Sequence, residues 1–220
     1  QLVSTEAKAA FGNGDLYIEK FVTSMRHIEA QVLRDTQGNT RVLGIRDCSV
    51  QRNNQKLIEE SGSTLLPQEL RDQVMTDAAK IADAVDYVGA GTVEFIYDVP
   101  NNATYFMEMN TRIQVEHPIT EQVIDYDLIR EQIKVAYGDR ITGKNYFPQL
   151  FSIECRINAE DPSQNFQPSP GTIGMCHQPS GFRTRVDGAI FQGLKVTPYY
   201  DSMICKLICH GRNRIEAIQR

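Results

Sequence analysis

Residues 104–118 read Tyr-Phe-Met-Glu-Met-Asn-Thr-Arg-Ile-Gln-Val-Glu-His-Pro-Ile, and this stretch decides the fold prediction. Between positions 107 and 116, every even position is polar, and every odd position except Thr111 is apolar. This period of two predicts an extended segment with one face in the core and one face outward. The outward row, with neighbours about 6–7 Å apart, consists of Glu108, Asn110, Arg112, Gln114 and Glu116. Two acids, two amides and an arginine suit a divalent cation, an anion and a proton acceptor, so we interpret the row as catalytic.

The segment before this row predicts a partner strand. Residues 92–98 have the composition of a strand, and residues 99–103 (Val-Pro-Asn-Asn-Ala) are typical of a turn. A hairpin centred on Asn101 places Glu94 opposite Glu108. Facing carboxylates lie about 5 Å apart and repel each other, but a bound Mg²⁺ or Mn²⁺ would make the pair favourable. The alternative is a solvated acidic pair in a slightly different register.

Length and composition are those of an ordinary folded protein: 220 residues, 41% hydrophobic and 23% charged. A net charge of −5 without a Lys/Arg cluster argues against a nucleic-acid partner. No apolar run approaches the roughly 18 residues of a membrane span. Without an initiator Met or a signal-like start, Gln1 is predicted to be internal to a longer chain. Five cysteines without a Cys-x-x-Cys motif predict reduced thiols, and we expect Cys205 and Cys209, near His210, to be buried rather than to bind zinc.

The remaining pattern predicts separate runs of strands and helices, which favours an α+β fold with antiparallel strands. Helices are predicted at residues 5–11, from Pro67 to 85, from about 125–127 to 137, and from 213 onward. Strands are predicted at 16–22, 27–35, 40–46, 51–59, 151–158, 172–178, 182–186 and 202–210.

Three further clusters have charged residues in or beside predicted strands. Residues 17–22 include Glu19 and Lys20, which form either an exposed ion pair or part of a strand edge that binds a nucleotide base. Residues 46–60 are mostly polar and form either a solvated loop or a face that presents Lys56 and a second cation. Arg156 lies among apolar neighbours and needs an anionic or carbonyl partner, either a ligand or an acid such as Glu160.

Five motifs together resemble those of biotin carboxylase, the ATP-grasp component of biotin-dependent acyl-CoA carboxylases. They are Arg-Asp-Cys-Ser-Val-Gln (46–51), Met-Asn-Thr-Arg-Ile-Gln-Val-Glu-His-Pro (109–118), Glu-Cys-Arg-Ile-Asn-Ala-Glu-Asp-Pro (154–162), Pro-Ser-Pro-Gly (168–171) and Pro-Tyr-Tyr-Asp-Ser-Met (198–203). The resemblance covers nearly the whole chain. The Asp-Cys-Ser sequence at 47–49 resembles acetyl-, propionyl- or methylcrotonyl-CoA carboxylases more than pyruvate carboxylase.

The resemblance implies an α+β fold: an ATP-grasp C-terminal lobe with a mainly antiparallel sheet, plus the start of the C-terminal subdomain of biotin carboxylase. The implied divisions are residues 1–21 (end of the lid subdomain), 22–148 (ATP-grasp core with the metal and bicarbonate site) and 149–220 (truncated C-terminal subdomain).

The resemblance also implies a role for each motif residue. ATP would contact Glu19, Lys20, Val22, His27, Gln51, Asn54 and Ile96. Mg²⁺ or Mn²⁺ would bind Glu94, Glu108 and Asn110. Bicarbonate would bind Lys56, Arg112, Gln114 and Val115. Glu116 would be the base that deprotonates bicarbonate, with Arg112 and Lys56 as the other catalytic residues, and Arg156 would bind biotin.

The implied reaction is the first half-reaction of an acyl-CoA carboxylase: bicarbonate and ATP form carboxyphosphate, and the CO₂ released from it is captured by biotin. The implied partners are a biotin carboxyl carrier, a carboxyltransferase and a second copy of the full-length chain in a homodimer, with neither nucleic acid nor membrane. The implied compartment is the bacterial cytoplasm or the mitochondrial matrix.

Two departures from the family pattern carry expectations. Asn54 stands where many members have His, although some relatives also have Asn there, and Asn53 stands where Arg is usual. Asn53 removes a cation beside the phosphates, so we expect weaker ATP binding. The glycine-rich phosphate loop and the lid lysines would precede Gln1, so we expect the 220 residues alone to be inactive. The alternatives are another ATP-grasp ligase, such as a carbamoyl-phosphate synthetase, or a catalytically degenerate carboxylase domain.

Overall fold

The computed structural model describes residues 2–141 and 148–220, so Gln1 and the end of the predicted 22–148 core lie outside it. The first part of the chain contains α1 (Leu2–Phe11), β1 (Met25–Arg34), β2 (Thr40–Arg52), β3 (Gln55–Ser61), α2 (Gln68–Ala84), β4 (Gly89–Asp98), β5 (Ala103–Asn110), α3 (His117–Ile124) and α4 (Leu128–Tyr137). The second part contains β6 (Phe151–Asn158), β7 (Glu160–Asp161), β8 (Gln167–Pro168), β9 (Gly171–Thr172), β10 (Thr184–Gly188), β11 (Lys195–Val196), β12 (Met203–Gly211) and α5 (Arg214–Gln219).

One eight-stranded sheet organises the chain, in the order β10-β12-β6-β3-β2-β1-β4-β5. Each neighbouring pair in this sheet is antiparallel, as the α+β prediction requires. The sheet continues across residue 148, so strands from both parts of the chain lie side by side. The predicted division into three parts stays a prediction.

The two faces of the sheet differ. On one face, Ile28, Ala30 and Val32 of β1 pack with Val74 and Ala78 of α2 in a closed apolar core. On the other face, a second apolar cluster beneath α3 and α4 lies beside a patch of buried charges. Among the described residues, no helix is long and apolar enough to cross a membrane.

The β4–β5 hairpin pairs Glu94 with Glu108, as predicted, but by a route that was not predicted. Its turn occupies residues 99–102, so Asp98 pairs with Ala103 and the hairpin is centred between 100 and 101. Without an irregularity, that centre would place Glu94 opposite residue 107. The register shifts by one residue between Glu94 and Phe95, and this shift brings the two carboxylates face to face.

The predicted extended row is wrong beyond Asn110, where β5 ends. Residues 111–116 form a turn, and α3, which was not predicted, begins at His117 with Pro118 in its first turn. Proline is favoured there because its missing N–H would have no helical partner. The alternation of residues 111–116 therefore does not reflect a strand face.

Three other strand predictions are corrected. Residues 16–22 form no strand; in this segment Ile18 is 99% exposed, and no described strand pairs with it to satisfy its backbone. Of residues 172–178, only Thr172 is in a strand, β9. Residues 51–59 are interrupted by a turn at Asn53 and Asn54. The other predicted elements are present with shifted ends, and the helix stop at Gly138 is confirmed by its left-handed φ of 102°.

The turn between β2 and β3 explains the Asn-Asn pair in local terms. Arg52 pairs with Gln55, which leaves Asn53 (φ 51°) and Asn54 (φ 64°) as a two-residue turn in the left-handed region. Asparagine and glycine adopt this conformation more readily than other residues.

We expect Asn54→Ala to lower the free energy of unfolding by about 1 kcal/mol, because alanine is strained at positive φ. Asn54→Gly should stay within about 0.5 kcal/mol of the parent. Thermal unfolding of the two variants measures the difference. Equal losses in both variants would mean that the asparagine side chain, rather than the backbone conformation, stabilises this turn.

Candidate active site

A row of four charged side chains crosses the sheet. Arg46 of β2 pairs with Glu29 of β1, Glu29 pairs with Glu94 of β4, and Glu94 pairs with Glu108 of β5. Paired residues in antiparallel strands project to the same face of a sheet. Three carboxylates and one guanidinium therefore lie next to one another on the polar face.

Arg46 lies at the β2 end of this row and is fully buried. Its guanidinium donates hydrogen bonds to Glu29 (3.1 Å to Oε2), Gln31 (2.7 Å), Thr120 (3.1 Å), Thr92 (3.1 Å) and Gln114 (3.1 Å). A buried guanidinium is tolerated only when its charge and its donors are all paired. Arg46 thus joins β1, β4, α3 and the turn that precedes α3.

Lys56 lies beside Arg46 and connects three carboxylates. Its Nζ donates to Glu94 (3.2 Å) and Glu116 (2.8 Å) and also contacts Glu29. Burial lowers the pKa of Lys56, but the carboxylates of Glu29 and Glu116 outweigh burial and raise that pKa overall. Lys56 therefore stays positively charged at any physiological pH.

The carboxylates around Lys56 differ in their pKa values. Burial alone would raise the pKa of Glu94, but hydrogen bonding to His27 and the charge of Lys56 lower it to about 2. Burial likewise opposes ionisation of Glu116, whereas Arg46 and Lys56 lower its pKa to about 2. Burial raises the pKa of Glu29, with Arg46 opposing it. At neutral pH, Glu94 and Glu116 are therefore anions held by fixed cations.

His27 joins the network through both ring nitrogens. Gln51 Nε2, an amide donor, lies 3.0 Å from Nδ1, and Glu94 Oε2 lies 2.8 Å from Nε2. The amide contact makes Nδ1 an acceptor, so the Nε2 proton points to Glu94. The predicted nucleotide residues His27 and Gln51 thus lie beside the predicted metal residue Glu94.

The three predicted metal ligands are brought together at one edge of this network. Asn110 Nδ2 lies 3.0 Å from Glu94 Oε1 and 3.2 Å from Glu108 Oε1. Glu94 also belongs to a compact group with His27 and Glu29, whose ligand atoms lie within 4.8 Å of one another. Carboxylate and amide oxygens are the donors that Mg²⁺ and Mn²⁺ prefer, so the residues present fit such an ion.

The turn of residues 111–116 separates the predicted bicarbonate residues. Gln114 points inward and donates to Glu94 (2.8 Å), and the Val115 carbonyl accepts from Lys206 Nζ (2.5 Å). Arg112 is exposed and donates to the Ile113 carbonyl (3.2 Å). Beyond the end of β5, Gln114 and Glu116 turn inward and join the network, whereas Arg112 points outward and does not.

Arg156 reaches the network from β6. Its Nε donates to Glu59 (2.6 Å) and its Nη2 donates to Glu116 (3.0 Å). The alternative partner considered for it, Glu160, instead accepts from Ser202 (2.7 Å) and pairs with Arg52. Arg156 was thus correctly expected to have an acidic partner, but the acids are Glu59 and Glu116.

The remaining predicted nucleotide residues lie outside the network. Glu19, Lys20 and Val22 belong to the irregular segment between α1 and β1, and Asn54 is exposed at the β2–β3 turn. Lys20 Nζ lies 3.4 Å from Asp98 and 5.4 Å from the Tyr105 ring centre, which ties this segment to the β4–β5 hairpin. Ile96, half-buried on β4, pairs with His27 and Tyr105 between these two regions.

Sequence reasoning missed several central residues. They are Glu29, Gln31, Arg46, Glu59, Thr92, Thr120, Glu154 and Lys206. A signal existed in β1, where His27, Glu29 and Gln31 alternate with Ile28 and other apolar residues. The five cysteines are free, and Cys205 and Cys209 are buried in β12, as expected.

The network does not coincide with a cavity of about 930 Å³ between β2 and α2. That cavity lies on the opposite face and is lined by groups such as Arg71, Met75 and Thr76. None of the network residues lines it, so we assign the chemistry to the network on the strength of its charges.

Comparison with known proteins identifies two family models in the chain. Residues 1–144 match the carbamoyl-phosphate synthase L chain, ATP binding domain, and residues 154–220 match the biotin carboxylase C-terminal domain. Biotin carboxylase 1 of Bacillus subtilis is 55% identical over 100% of this chain and 49% of its own length. The chain spans about half the length of the curated relatives it matches.

Two solved structures are also similar. A Campylobacter jejuni biotin carboxylase in complex with β-γ-ATP has a TM-score of 0.91 and 46% identity, covering 98% of this chain and 48% of that one. The biotin carboxylase domain dimer of Hydrogenobacter thermophilus 2-oxoglutarate carboxylase, in complex with MgADP, ADP and bicarbonate, has a TM-score of 0.88 and 48% identity. The match covers 95% of this chain and 46% of the Hydrogenobacter thermophilus chain.

Proposed function

Because the chain belongs to the biotin carboxylase family, we propose that it carries the base, metal and biotin residues of an ATP-dependent biotin carboxylase. The activity belongs to the full-length protein, since the chain spans about half of its relatives. One observation carries the proposal: Glu116, a buried carboxylate, is held between Lys56 (2.8 Å) and Arg156 (3.0 Å). Two cations around one base suit a reaction in which an anion binds beside the base and gives it a proton.

The proposed chemistry begins with bicarbonate next to Lys56. Glu116 takes the bicarbonate proton, and a bicarbonate oxygen bonds to the γ-phosphorus of ATP while the bond to ADP breaks. A bound anion would share the charge of Lys56, which weakens the hold of Lys56 on Glu116 and raises the proton affinity of Glu116. Gln114, which donates to Glu94, would position the anion beside the metal site.

Carboxyphosphate then releases CO₂ and phosphate, the phosphate accepts the N1′ proton of biotin, and the nitrogen bonds to CO₂. Arg156 is the residue proposed to bind biotin, and its position 3.0 Å from Glu116 supports that role. Arg112, whose exposed guanidinium donates to the Ile113 carbonyl, would have to exchange this bond for one to bicarbonate in its proposed role.

Glu94, Glu108 and Asn110 are proposed to hold Mg²⁺ or Mn²⁺, which when bound neutralises the phosphate oxygens of the nucleotide. We propose that the nucleotide lies between this site and the segment with Glu19, Lys20 and Val22. The exposed aromatic and aliphatic side chains of that segment, Tyr17, Ile18 and Phe21, support this placement.

We further propose that the full-length protein works with a biotin carrier and a carboxyltransferase, and that it dimerises like the Hydrogenobacter thermophilus domain. The acceptor class stays a prediction, since that relative belongs to a 2-oxoglutarate carboxylase rather than to an acyl-CoA carboxylase. A compartment with reduced thiols, bacterial cytoplasm or mitochondrial matrix, also stays a prediction.

The test is the ADP released by the full-length protein with MgATP and free biotin, measured with and without bicarbonate. We expect release to depend on bicarbonate and to rise with biotin. Stimulation by ammonia instead would favour a carbamoyl-phosphate type of ligase. Absence of either stimulation would favour a degenerate domain.

We expect Glu108→Gln to raise the Mg²⁺ concentration needed for half-maximal ADP release about tenfold, or ~1.4 kcal/mol of ion binding. The reason is that the amide keeps the shape of the side chain but removes one of the anionic oxygens that face the proposed ion. Glu69→Gln, on the exposed first turn of α2, is the control. An unchanged Mg²⁺ requirement in Glu108→Gln would place the ion elsewhere.

A further inference from the structure

Two buried carboxylates face each other across β3 and β6. Glu59 pairs with Glu154, and both side chains are fully buried. Within the described part of the chain, neither oxygen of Glu154 has a hydrogen-bond partner, and Oε2 of Glu59 has none either. Like charges at facing positions destabilise a sheet, and a buried carboxylate without partners is more unfavourable still.

The surroundings of this pair connect it to the proposed base. Glu59 Oε1 accepts from Arg156 (2.6 Å), and the same guanidinium donates to Glu116 (3.0 Å). Lys206, opposite Arg156 on β12, donates to the Val115 carbonyl (2.5 Å) in the turn that carries Glu116. Two strands of the second part of the chain, β6 and β12, therefore each hold the catalytic turn through one cation.

The charged groups around Glu154 come from every element packed on it. They are Glu59 from β3, Arg156 from its own strand β6, Lys206 from β12, Glu116 from the turn before α3, His117 and Glu121 from α3, and Arg185 and Asp187 from β10. Asp187 lies 3.9 Å from Lys206, and Arg185 forms ion pairs with Asp187 and Glu121. Five buried acids of the network (Glu29, Glu59, Glu94, Glu116 and Glu154) accompany four cations (Arg46, Lys56, Arg156 and Lys206). One neutral acid would balance these nine groups.

Glu154 is the acid with the strongest reason to be neutral, because it has no hydrogen-bond donor of its own. Burial raises its pKa to about 8, and Lys206 opposes this only in part. Burial also raises the pKa of Glu59 to about 7, against the charge of Arg156. Of the two acids, Glu59 has the lower pKa and the ion pair with Arg156, so it ionises first. Glu154, with both oxygens unpartnered among the described residues, keeps its proton.

We infer that Glu59 and Glu154 are a positioning pair for the proposed carboxylation. In this pair the ionised Glu59 holds Arg156 in place, and Glu154 stays a neutral carboxylic acid. The inference rests on the proposed function for its kinetic consequence. A neutral Glu154 leaves Arg156 free to bind Glu59 and Glu116, and leaves Lys206 free to hold the Val115 carbonyl. An ionised Glu154 would compete for both cations and pull them away from the catalytic turn.

The kinetic test is Glu59→Gln in the full-length protein. Loss of the anion releases one side of Arg156, so we expect KM for biotin to rise about tenfold or more, since small displacements of such groups have effects of this size. KM for ATP should stay within about twofold, a split that general destabilisation would not produce. Glu60→Gln is the matched control, because the adjacent Glu60 pairs with Arg214 at the surface. An unchanged KM for biotin in Glu59→Gln overturns the positioning role.

The test of the neutral acid uses Glu154→Gln and does not need activity. The pKa of Glu154 is raised in the folded state, to about 8. The contribution of the neutral acid to the free energy of unfolding is therefore fully present below the unfolded pKa, and it is lost as pH rises through about 8. The variant cannot ionise, so its Tm relative to the parent should rise by several degrees between pH 6 and pH 9. A Tm difference that does not change with pH would show that Glu154 is already ionised in the folded protein and would overturn its assignment.

These outcomes separate the inference from the proposed function. A parent without biotin-dependent turnover would reject the proposed function, while the Tm comparison would still decide the protonation of Glu154. An active parent with an unaffected Glu59→Gln variant would reject the inference alone.

Discussion

Glu116→Gln should lower bicarbonate-dependent ADP release of the full-length protein by about a thousandfold, within the usual range for loss of a general base. The amide occupies the same volume but cannot accept the bicarbonate proton. It also removes the anion that fixes Lys56 and Arg156, both within 3.0 Å of Glu116. We therefore expect kcat to fall much more than the affinity for MgADP.

Glu116→Asp separates the two effects, because it keeps a base and a charge but withdraws them by one methylene. We expect Glu116→Asp to retain measurably more activity than Glu116→Gln. Equal activity of parent and Glu116→Gln would mean that another group accepts the proton, and the role assigned to Glu116 would be lost.

Glu116 also makes stability depend on pH with a defined sign. Burial opposes its charge, but Arg46 and Lys56 lower its folded pKa to about 2. A lowered folded pKa gives stability that is present above the unfolded pKa and is lost as pH falls toward about 2. The Tm advantage of the parent over Glu116→Gln should therefore shrink between pH 5 and pH 3.

Arg46→Met should be the most destabilising single change in the network. Among the described residues, it leaves the fully buried Glu29 with only Lys56 and His27 as cationic or donor neighbours. It also removes the donor of four neutral acceptors. Breaking a buried pair by removing one partner costs about 3–5 kcal/mol. For a chain of about 150–250 residues, that corresponds to a fall in Tm of about 6–20 °C, and a longer protein shows a smaller fall.

Arg130→Met is the control for Arg46→Met, because Arg130 is exposed on α4 and should change stability by less than about 0.5 kcal/mol. Adding Glu29→Met to Arg46→Met should recover part of the loss, since the uncompensated carboxylate is then gone. Calorimetric melting of the three variants decides this. A fall in Tm no larger for Arg46→Met than for Arg130→Met would refute the view that Arg46 organises the polar face.

Much of the fold followed from local patterns. The turn at residues 35–39, the helix from Pro67, the helix ending at Gly138 and the facing of Glu94 and Glu108 were all predicted. Each depends on residues that are near neighbours in the chain, such as an Asp-x-x-Gly turn or a left-handed glycine. The errors at residues 16–22 and 111–116 arose where a strand-like sequence has no partner strand among the described residues.

The sequence by itself determined the hairpin, the helices α2 and α4, and the motifs that relate the chain to biotin carboxylases. Only the tertiary structure decided which charges meet. Arg46, Lys56, Glu116 and Arg156 come from four separate elements, up to 110 residues apart, and a buried charged residue in a strand has the same local pattern as an exposed one. It also decided that Arg112 points outward and that Glu154 has no hydrogen-bond partner in the described part of the chain. The reason is that strand order and register bring distant side chains together, and pairing between them, rather than local periodicity, determines whether a buried charge is stable.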